Sequence, residues 1–283
     1  MITDSFEYHR AQSVDEAIQM LQENEESKLL AGGHSLLPAM KLRLSRPEKL
    51  IDIARLSELK FIREEGNKIV IGAATTHQEI VESDLIGAKV PLLKMAGETI
   101  GDVQVRNVGT LGGSLAHADP AADWPASMLA TEASIELKGA NGNRVVAAAD
   151  FFQGLFMTAL EPNELIVAIH VPIPAPGTRA AYLKFVQPAS RFAIVGCAVM
   201  ATRNNGSFGE VKLAFTGVGE VAFRDAAVEQ AINGKTAEVN AIQAAADQAA
   251  EGVDILSDHF ASESYRKHLA KVYARKTLLA VAN

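Results

Sequence analysis

One stretch, TIGDVQVRNVGTLGGSLAHADPAAD from Thr99 to Asp123, constrains this chain more than any other. Gly109, Gly112 and Gly113 lack a Cβ, so the backbone there is free to take positive φ and bring its N–H groups up to a ligand. Thr110 and Ser114 set hydroxyls beside those groups, and Arg106 and Asn107 lie just upstream. Successive backbone N–H groups form a nest that holds an anion without a strong positive charge. The stretch is therefore expected to be an anion-seating loop. An isolated Gly-Gly pair more often just turns the chain. Here the length, the polarity and the two carboxylates around Pro120 exceed what a turn requires.

Charge makes a local anion site necessary. The net charge is −7, which disfavours a general nucleic-acid or anionic-membrane surface. Any phosphate must then be held by backbone dipoles. The single cysteine, Cys197, excludes an internal disulfide framework and a cysteine-ligated iron–sulfur cluster held by this chain alone. It lies in the apolar run from Ile194 to Met200, where a buried, inert thiol in a strand is expected. The N-terminal MITDSFEYHR lacks a signal-peptide pattern, and no apolar run approaches a membrane span, so the expected location is cytoplasmic.

At 283 residues the chain is long enough for two or three compact units. Ser13 is placed to cap a helix through Val14, Ala17, Ile18 and Leu21, with Glu16 closing a capping box. Lys28–Ala31 predicts a short strand, and Gly32-Gly33-His34-Ser35 follows at once. Ser35 is positioned to cap the next helix, and Lys49–Ile53 predicts a second strand, completing a β–α–β unit with a glycine turn where α/β folds place ligands. The turn is neither a GxGxxG fingerprint nor a Walker A loop. It remains a phosphate seat of the strand-to-helix type. His34 alone reads as a hydrogen-bonded loop side chain.

Further on, a hairpin around Gly66-Asn67 is predicted, then a helix from Thr75 or Thr76 and another over Pro91–Ile100. An apolar helix is expected over Trp124–Thr131, strands over Ala133–Leu137 and Arg144–Ala148, and a helical segment from Asp150 to near Leu160. Glu164–Val171 reads as a strand, and Pro172, Pro174, Pro176 and Gly177 mark a boundary. Three strands (Ala180–Val186, Ala193–Thr202, Glu210–Val218) and three helices (Ala222–Asn233, Val239–Glu251, Ser262–Ala282) complete an α+β unit.

Two glycine-rich anion seats suit a ligand with two phosphates, such as a dinucleotide. His117, Asp119 and Asp123 form an acceptable metal donor set, but His-x-Asp-Pro in a glycine-rich loop is better explained as a hydrogen-bonded scaffold. No GxSxG elbow supports a hydrolase built on Ser35 or Ser114. Paired acid/base work at Asp119 and Asp123 has no support either, and Asp123 is equally placed to bond a ribityl or ribose hydroxyl. A redox cofactor that carries its own chemistry needs only binding, orientation and tuning.

Taken together, AGGHSLLPAMKLR and TIGDVQVRNVGTLGGSLAHADPAAD, their spacing, the ELIVAIHVP strand and the C-terminal α+β unit resemble the FAD-binding medium subunits of molybdenum hydroxylases of the carbon monoxide dehydrogenase and xanthine dehydrogenase type. The resemblance covers essentially the whole chain. It implies an α+β fold of the vanillyl-alcohol oxidase (PCMH) type, with two FAD-binding α/β subdomains (1–57 and 58–177) and a C-terminal domain (178–283) of three antiparallel strands with helices. It also implies that Ala31, Gly32, Gly33, His34 and Ser35, with Thr110, Gly112, Gly113 and Ser114, hold the FAD pyrophosphate, and that Leu36, Ile100 and Ala116 make adjacent contacts. Asp123 would contact the adenosine end of FAD, Leu165 or Ile166 would touch the cofactor, Lys184 would lie near the flavin ring, and Phe192 would lie over the isoalloxazine. The alternative at Phe192 is an ordinary core aromatic at a strand start.

One departure stands beside Phe192: several relatives carry an acidic residue where this chain has Arg191, which affects flavin tuning. The implied partners are a small subunit with two 2Fe-2S clusters and a large subunit with molybdopterin cofactor, in a dimer of heterotrimers. Electrons would pass from the clusters to FAD and then to an external acceptor, with NAD, quinone and oxygen all open. A non-catalytic FAD- or nucleotide-binding assembly module is the alternative reading. A self-sufficient flavin oxidase lacks a substrate-side acid/base set.

Overall fold

The computed structural model describes residues 2–282. The chain opens with β1 (Glu7–Arg10), α1 (Val14–Glu23), β2 (Ser27–Leu30), α2 (Leu36–Lys41) and β3 (Lys49–Asp52). β3 lies centrally, with β1 and β2 parallel to it on either side, so the expected β–α–β unit is present. The Ser13 hydroxyl caps α1 by accepting from Glu16 N–H, and Val14, Ala17, Ile18 and Leu21 are buried against Ile51, Ile53 and Leu59. The capping box does not close, because the Glu16 carboxylate accepts from Gln12 N–H at 2.6 Å instead. β1 carries no apolar alternation, and all four of its residues are exposed.

Next come β4 (Ile62–Glu65) and β5 (Lys68–Gly72), paired as the expected hairpin with Gly66 at φ +59°. Then follow α3 (His77–Glu82), α4 (Asp84–Lys89), α5 (Pro91–Glu98), α6 (Val103–Val108), α7 (Leu111–His117) and α8 (Asp123–Ala130). β6 (Ser134–Gly139), β7 (Gly142–Ala147), α9 (Ala148–Phe151), β8 (Phe152–Gly154), β9 (Met157–Thr158) and β10 (Leu165–Pro172) complete this part. β10 runs antiparallel between β5 and β6 and closes a sheet of order β4-β5-β10-β6-β7. Its core joins Ile69, Ile71, Leu92, Trp124, Ile135 and Ile169. The helix expected from Asp150 to Leu160 stops after one turn, and the chain reverses there as the small β8–β9 hairpin.

The glycine-rich stretch is not a loop. Its expected positive-φ glycines are helical or extended instead: Gly112 and Gly113 lie in α7, and Gly109 has φ −62°. Asp102 caps α6 by accepting from Val105 N–H, and Thr110 caps α7 by accepting from Gly113 N–H. The balance of terms explains the helix. Each glycine costs about 1 kcal/mol in a helix interior. Leu111 and Leu115 are both fully buried, each gaining roughly 1.5–3 kcal/mol. Burial wins.

The remaining elements are β11 (Arg179–Val186), β12 (Ala193–Asn204), β13 (Ser207–Thr216), β14 (Phe223–Arg224), α10 (Ala226–Ile232), α11 (Val239–Ala246) and α12 (Glu263–Ala282). The sheet has four antiparallel strands rather than three, in the order β11-β12-β13-β14. The helix expected from Ala222 begins late because Phe223 and Arg224 first pair with Phe215 and Ala214, after which Asp225 caps α10. β12 is buried on both faces. Ala198 and Met200 join the core of the five-stranded sheet, while Val195, Cys197 and Val199 pack with α12 residues Leu269, Ala274 and Leu278. Burial pushes the Cys197 thiol up to about 12, which keeps it protonated and inert. Among the described residues no helix is long and apolar enough to cross a membrane.

Candidate functional site

A cavity of about 540 Å³ collects both glycine motifs on one wall system. Ala31, Gly32, Gly33, His34, Ser35 and Leu36 line it from the β2–α2 turn, and Thr110, Gly112, Gly113, Ser114 and Ala116 from α7 and its cap. Ile100, Asp123, Leu165, Ile166 and Phe192 complete the set expected from the sequence. Lys184 is the exception. It lies behind the wall, with its side chain 2% exposed.

The two motifs offer different donors. In the first, Gly33 turns the chain at φ +70°, a conformation glycine takes without a Cβ penalty. Ser35 occupies the N-cap position of α2 but makes no side-chain cap bond, so its hydroxyl is not spent on the helix. In the second, the amides are largely committed. Leu111 N–H donates to Thr75 O at 3.0 Å, Gly112 N–H to Ala73 O at 2.9 Å, and Gly113 N–H to Thr110 Oγ1 at 3.1 Å. The anion nest expected there is therefore mostly closed by backbone partners. Gly112 is glycine for packing: a Cβ on it would lie 2.8 Å from Ala73 O. What the second motif presents to the cavity is chiefly side-chain hydroxyl and helix-turn surface.

Asp123 begins α8 and is 5% exposed. Its Oδ1 accepts from Tyr182 Oη at 2.5 Å and its Oδ2 from Lys184 Nζ at 2.9 Å. Burial pushes the Asp123 carboxyl up and the Lys184 ammonium down, and the attraction between them opposes both shifts. Lys184 Nζ also donates to Arg191 O at 2.8 Å, which ties it to the turn that carries Phe192. Arg191 stands at φ +62° in that turn, and Phe192 is 43% exposed at the cavity edge.

The segment after α7 is fastened to the C-terminal sheet. Ala193 N–H donates to Ala121 O, Gly217 N–H to Pro120 O, and the Thr216 hydroxyl lies 2.7 Å from both Pro120 O and Ala122 O. Asp119 Oδ1 accepts from Ala121 N–H, and the His117 ring packs against Phe156 with centroids 5.1 Å apart. Asp119 thus bonds within its own turn, whereas His117 makes a ring contact. Among the described residues no three His, Cys, Asp or Glu side chains form a group that could hold a metal ion.

Sequence reasoning missed His77. It lines the cavity, is 6% exposed, and its Nδ1 accepts from Trp124 Nε1 at 3.0 Å. Burial pulls its pKa to about 3, with the charges of His34 and Arg106 adding to the effect. The partner is 47 positions away in the chain, so no local pattern announces it. Gly109, Ser190 and Arg191 also line the cavity.

Two family profiles match the chain. One, described as the FAD binding domain in molybdopterin dehydrogenase, covers residues 4–174, and the other, the CO dehydrogenase flavoprotein C-terminal domain, covers 180–281. The chain is 43% identical over 281 residues to the carbon monoxide dehydrogenase medium chain of Hydrogenophaga pseudoflava, covering 99% of this chain and 98% of that one. It is 38% identical to the glyceraldehyde dehydrogenase medium chain of Sulfolobus acidocaldarius, with both chains fully covered. Among solved structures, it superposes on a chain of the H. pseudoflava carbon monoxide dehydrogenase that lacks the Mo-pyranopterin moiety, with a TM-score of 0.96 at 44% identity, over 99% and 98% of the two chains. A chain of quinoline 2-oxidoreductase from Pseudomonas putida 86 gives the same TM-score at 32% identity, over 100% and 98%.

Proposed function

The chain belongs to the FAD-binding medium subunits of molybdenum hydroxylases of the carbon monoxide dehydrogenase and xanthine dehydrogenase type, and we propose that its 540 Å³ cavity seats FAD with the pyrophosphate between the Ala31–Ser35 turn and the Thr110–Ser114 segment. It is an oxidoreductase subunit, and the passive assembly module is the weaker reading. The observation that carries the site assignment is the convergence of both glycine motifs, far apart in sequence, on one cavity.

The residues present suit the cofactor. A Cβ on Gly113 would sit 2.7 Å from Thr110 Oγ1, and the Ser35 hydroxyl is free of the helix it precedes. The Ser35 and Thr110 hydroxyls offer an anion neutral donors, in keeping with a net charge of −7. When bound, FAD exchanges electrons singly or in pairs, which suits a station between one-electron clusters and an external acceptor. This chain's part is to hold and orient it. Leu165 and Ile166 offer an apolar wall, Phe192 covers the edge, and Asp123 offers a carboxylate braced by Tyr182 and Lys184.

We assign residues 1–57 and 58–177 to the two FAD-binding subdomains and 178–283 to the C-terminal domain, and the last of these boundaries falls between the spans of the two family profiles. The partners we infer are a small subunit with 2Fe-2S clusters and a large molybdopterin subunit, paired as a dimer of heterotrimers. A buried, unpaired Cys197 fits a reducing cytoplasm. The test is to purify the complex assembled with its partner subunits and measure flavin extracted per chain. Expected is one FAD, bleached when a substrate of the large subunit is added, with carbon monoxide, glyceraldehyde and quinoline as the first panel. A complex that carries no flavin and takes up none overturns the assignment.

A further inference from the structure

His77 sits on the cavity wall with one nitrogen engaged and the other unclaimed. Indole N–H groups only donate. With Trp124 Nε1 at 3.0 Å, Nδ1 must be the unprotonated nitrogen of a neutral ring, and the ring proton resides on Nε2. That Nε2 meets no acceptor among the described residues, and the residue as a whole is 6% exposed. Nε2 is not among the fully enclosed side-chain atoms that lack a partner, so it opens to the cavity that His77 lines, where a ligand oxygen can accept from it. The wall beside it is bare backbone, since a Cβ on Gly109 would lie 2.7 Å from Nε2.

The ring's position decides which part of the ligand it meets. His77 N–H donates to Gly109 O at 2.9 Å, and Thr76 forms a β-bridge with Thr110, so the imidazole lies against the start of α7. There the Leu111 and Gly112 amides are already given to Thr75 and Ala73. A phosphate at this end of the cavity is short of donors, and His77 supplies one. Burial keeps the ring neutral, so it donates without adding charge.

We propose that His77 is a cofactor-binding residue whose Nε2–H donates to a phosphate oxygen of the FAD pyrophosphate, with the Trp124 indole as the positioning group that fixes the tautomer. The proposal rests on the FAD reading above. It is tested in the assembled complex by the rate of FAD release, followed by flavin fluorescence, and by the phosphorus NMR signals of bound FAD. His77→Phe is expected to speed release ~10- to 100-fold, the range of a hydrogen bond to a charged acceptor, and to shift one phosphorus resonance. His77→Gln keeps an N–H donor and is expected to stay within about threefold of wild type. Nitrogen NMR of labelled histidine is expected to show a pyrrole-type Nε2, and Trp124→Phe to mix the tautomers and release FAD at an intermediate rate.

Unchanged release and unshifted phosphorus signals in His77→Phe overturn the proposal, as does a pyridine-type Nε2. If the Phe variant fails to assemble, the Gln variant decides: release as fast as ~10-fold over wild type overturns the donor role. A wild-type complex without flavin overturns the FAD reading and this proposal with it. A flavin-replete wild type with a silent His77→Phe overturns this proposal alone.

Discussion

Gly32 and Val108 touch backbone to backbone: a Cβ on Gly32 would lie 2.3 Å from the Val108 carbonyl oxygen and 2.8 Å from Gly109 Cα. The β2–α2 turn and the α6–α7 segment are therefore pressed together at a point where no side chain fits. This contact, rather than a phosphate alone, explains a glycine at position 32. It joins the two sides of the cavity into one seat.

Gly32→Ala should separate those two sides. The obstructing atoms are backbone and have no rotamer to escape into, so a loss of about 1–3 kcal/mol is expected, the range of overpacking a tight site. Thermal unfolding of the variant complex and its flavin content are the measurements. Normal flavin content with an unchanged melting temperature would show that the two segments have slack the geometry denies.

The Asp123–Lys184 pair links the cavity wall to the C-terminal sheet. Removing one member leaves the other charged and buried, a loss of about 3–5 kcal/mol. Lys184→Met should therefore lower stability steeply, and it should also loosen the turn at Arg191 whose carbonyl Lys184 holds. Asp123→Asn combined with Lys184→Met should recover much of the loss. A double-mutant cycle by chemical denaturation checks this. Strictly additive effects would mean that the two residues act independently.

Much of this architecture was legible in the sequence because it follows from local rules. Ser13 and Thr76 cap where their types and spacing require, Gly66 turns its hairpin, and Cys197 is the buried thiol of a strand that its apolar run indicates. What escaped depends on distant partners. The glycines of α7 read as loop because their local cost is visible while the burial of Leu111 and Leu115 is not. Lys184 does not itself line the cavity, and its place behind the wall is set by Asp123, 61 positions earlier. His77 gained its tautomer from Trp124.

Acid should expose a different weak point. Arg144 holds Glu164 through Nε–Oε1 and Nη2–Oε2 contacts of 2.7 and 2.6 Å, and these bonds keep the Glu164 carboxyl below its ordinary 4.5. A depressed acid contributes stability that is present above its unfolded pKa and lost as pH falls through the folded one. Wild type should thus lose stability below pH 4.5, and Glu164→Gln should be less stable at neutral pH with a shallower acid limb. Because Glu164 also lines the cavity just before β10, flavin release should accelerate over the same range. Parallel acid limbs in wild type and variant would remove Glu164 from the account.

Phe192 separates a cofactor contact from a packing role. At 43% exposure it contributes little to the core, and an exposed truncation is worth within about 0.5 kcal/mol, so Phe192→Ala should melt like wild type. Its ring stands at the cavity edge on a turn held by the Lys184–Arg191 bond and by Gln187 N–H to Phe192 O at 2.8 Å, so the backbone should stay in place when the ring is removed. FAD should then be retained, since the proposed phosphate seat lies elsewhere on the wall, while the visible flavin band and the reduction potential should change if the ring lies over the isoalloxazine as proposed. Absorbance and redox titration of the assembled complex measure both. A variant that melts early with an unaltered flavin spectrum would instead place Phe192 in the core and leave the isoalloxazine without this neighbour.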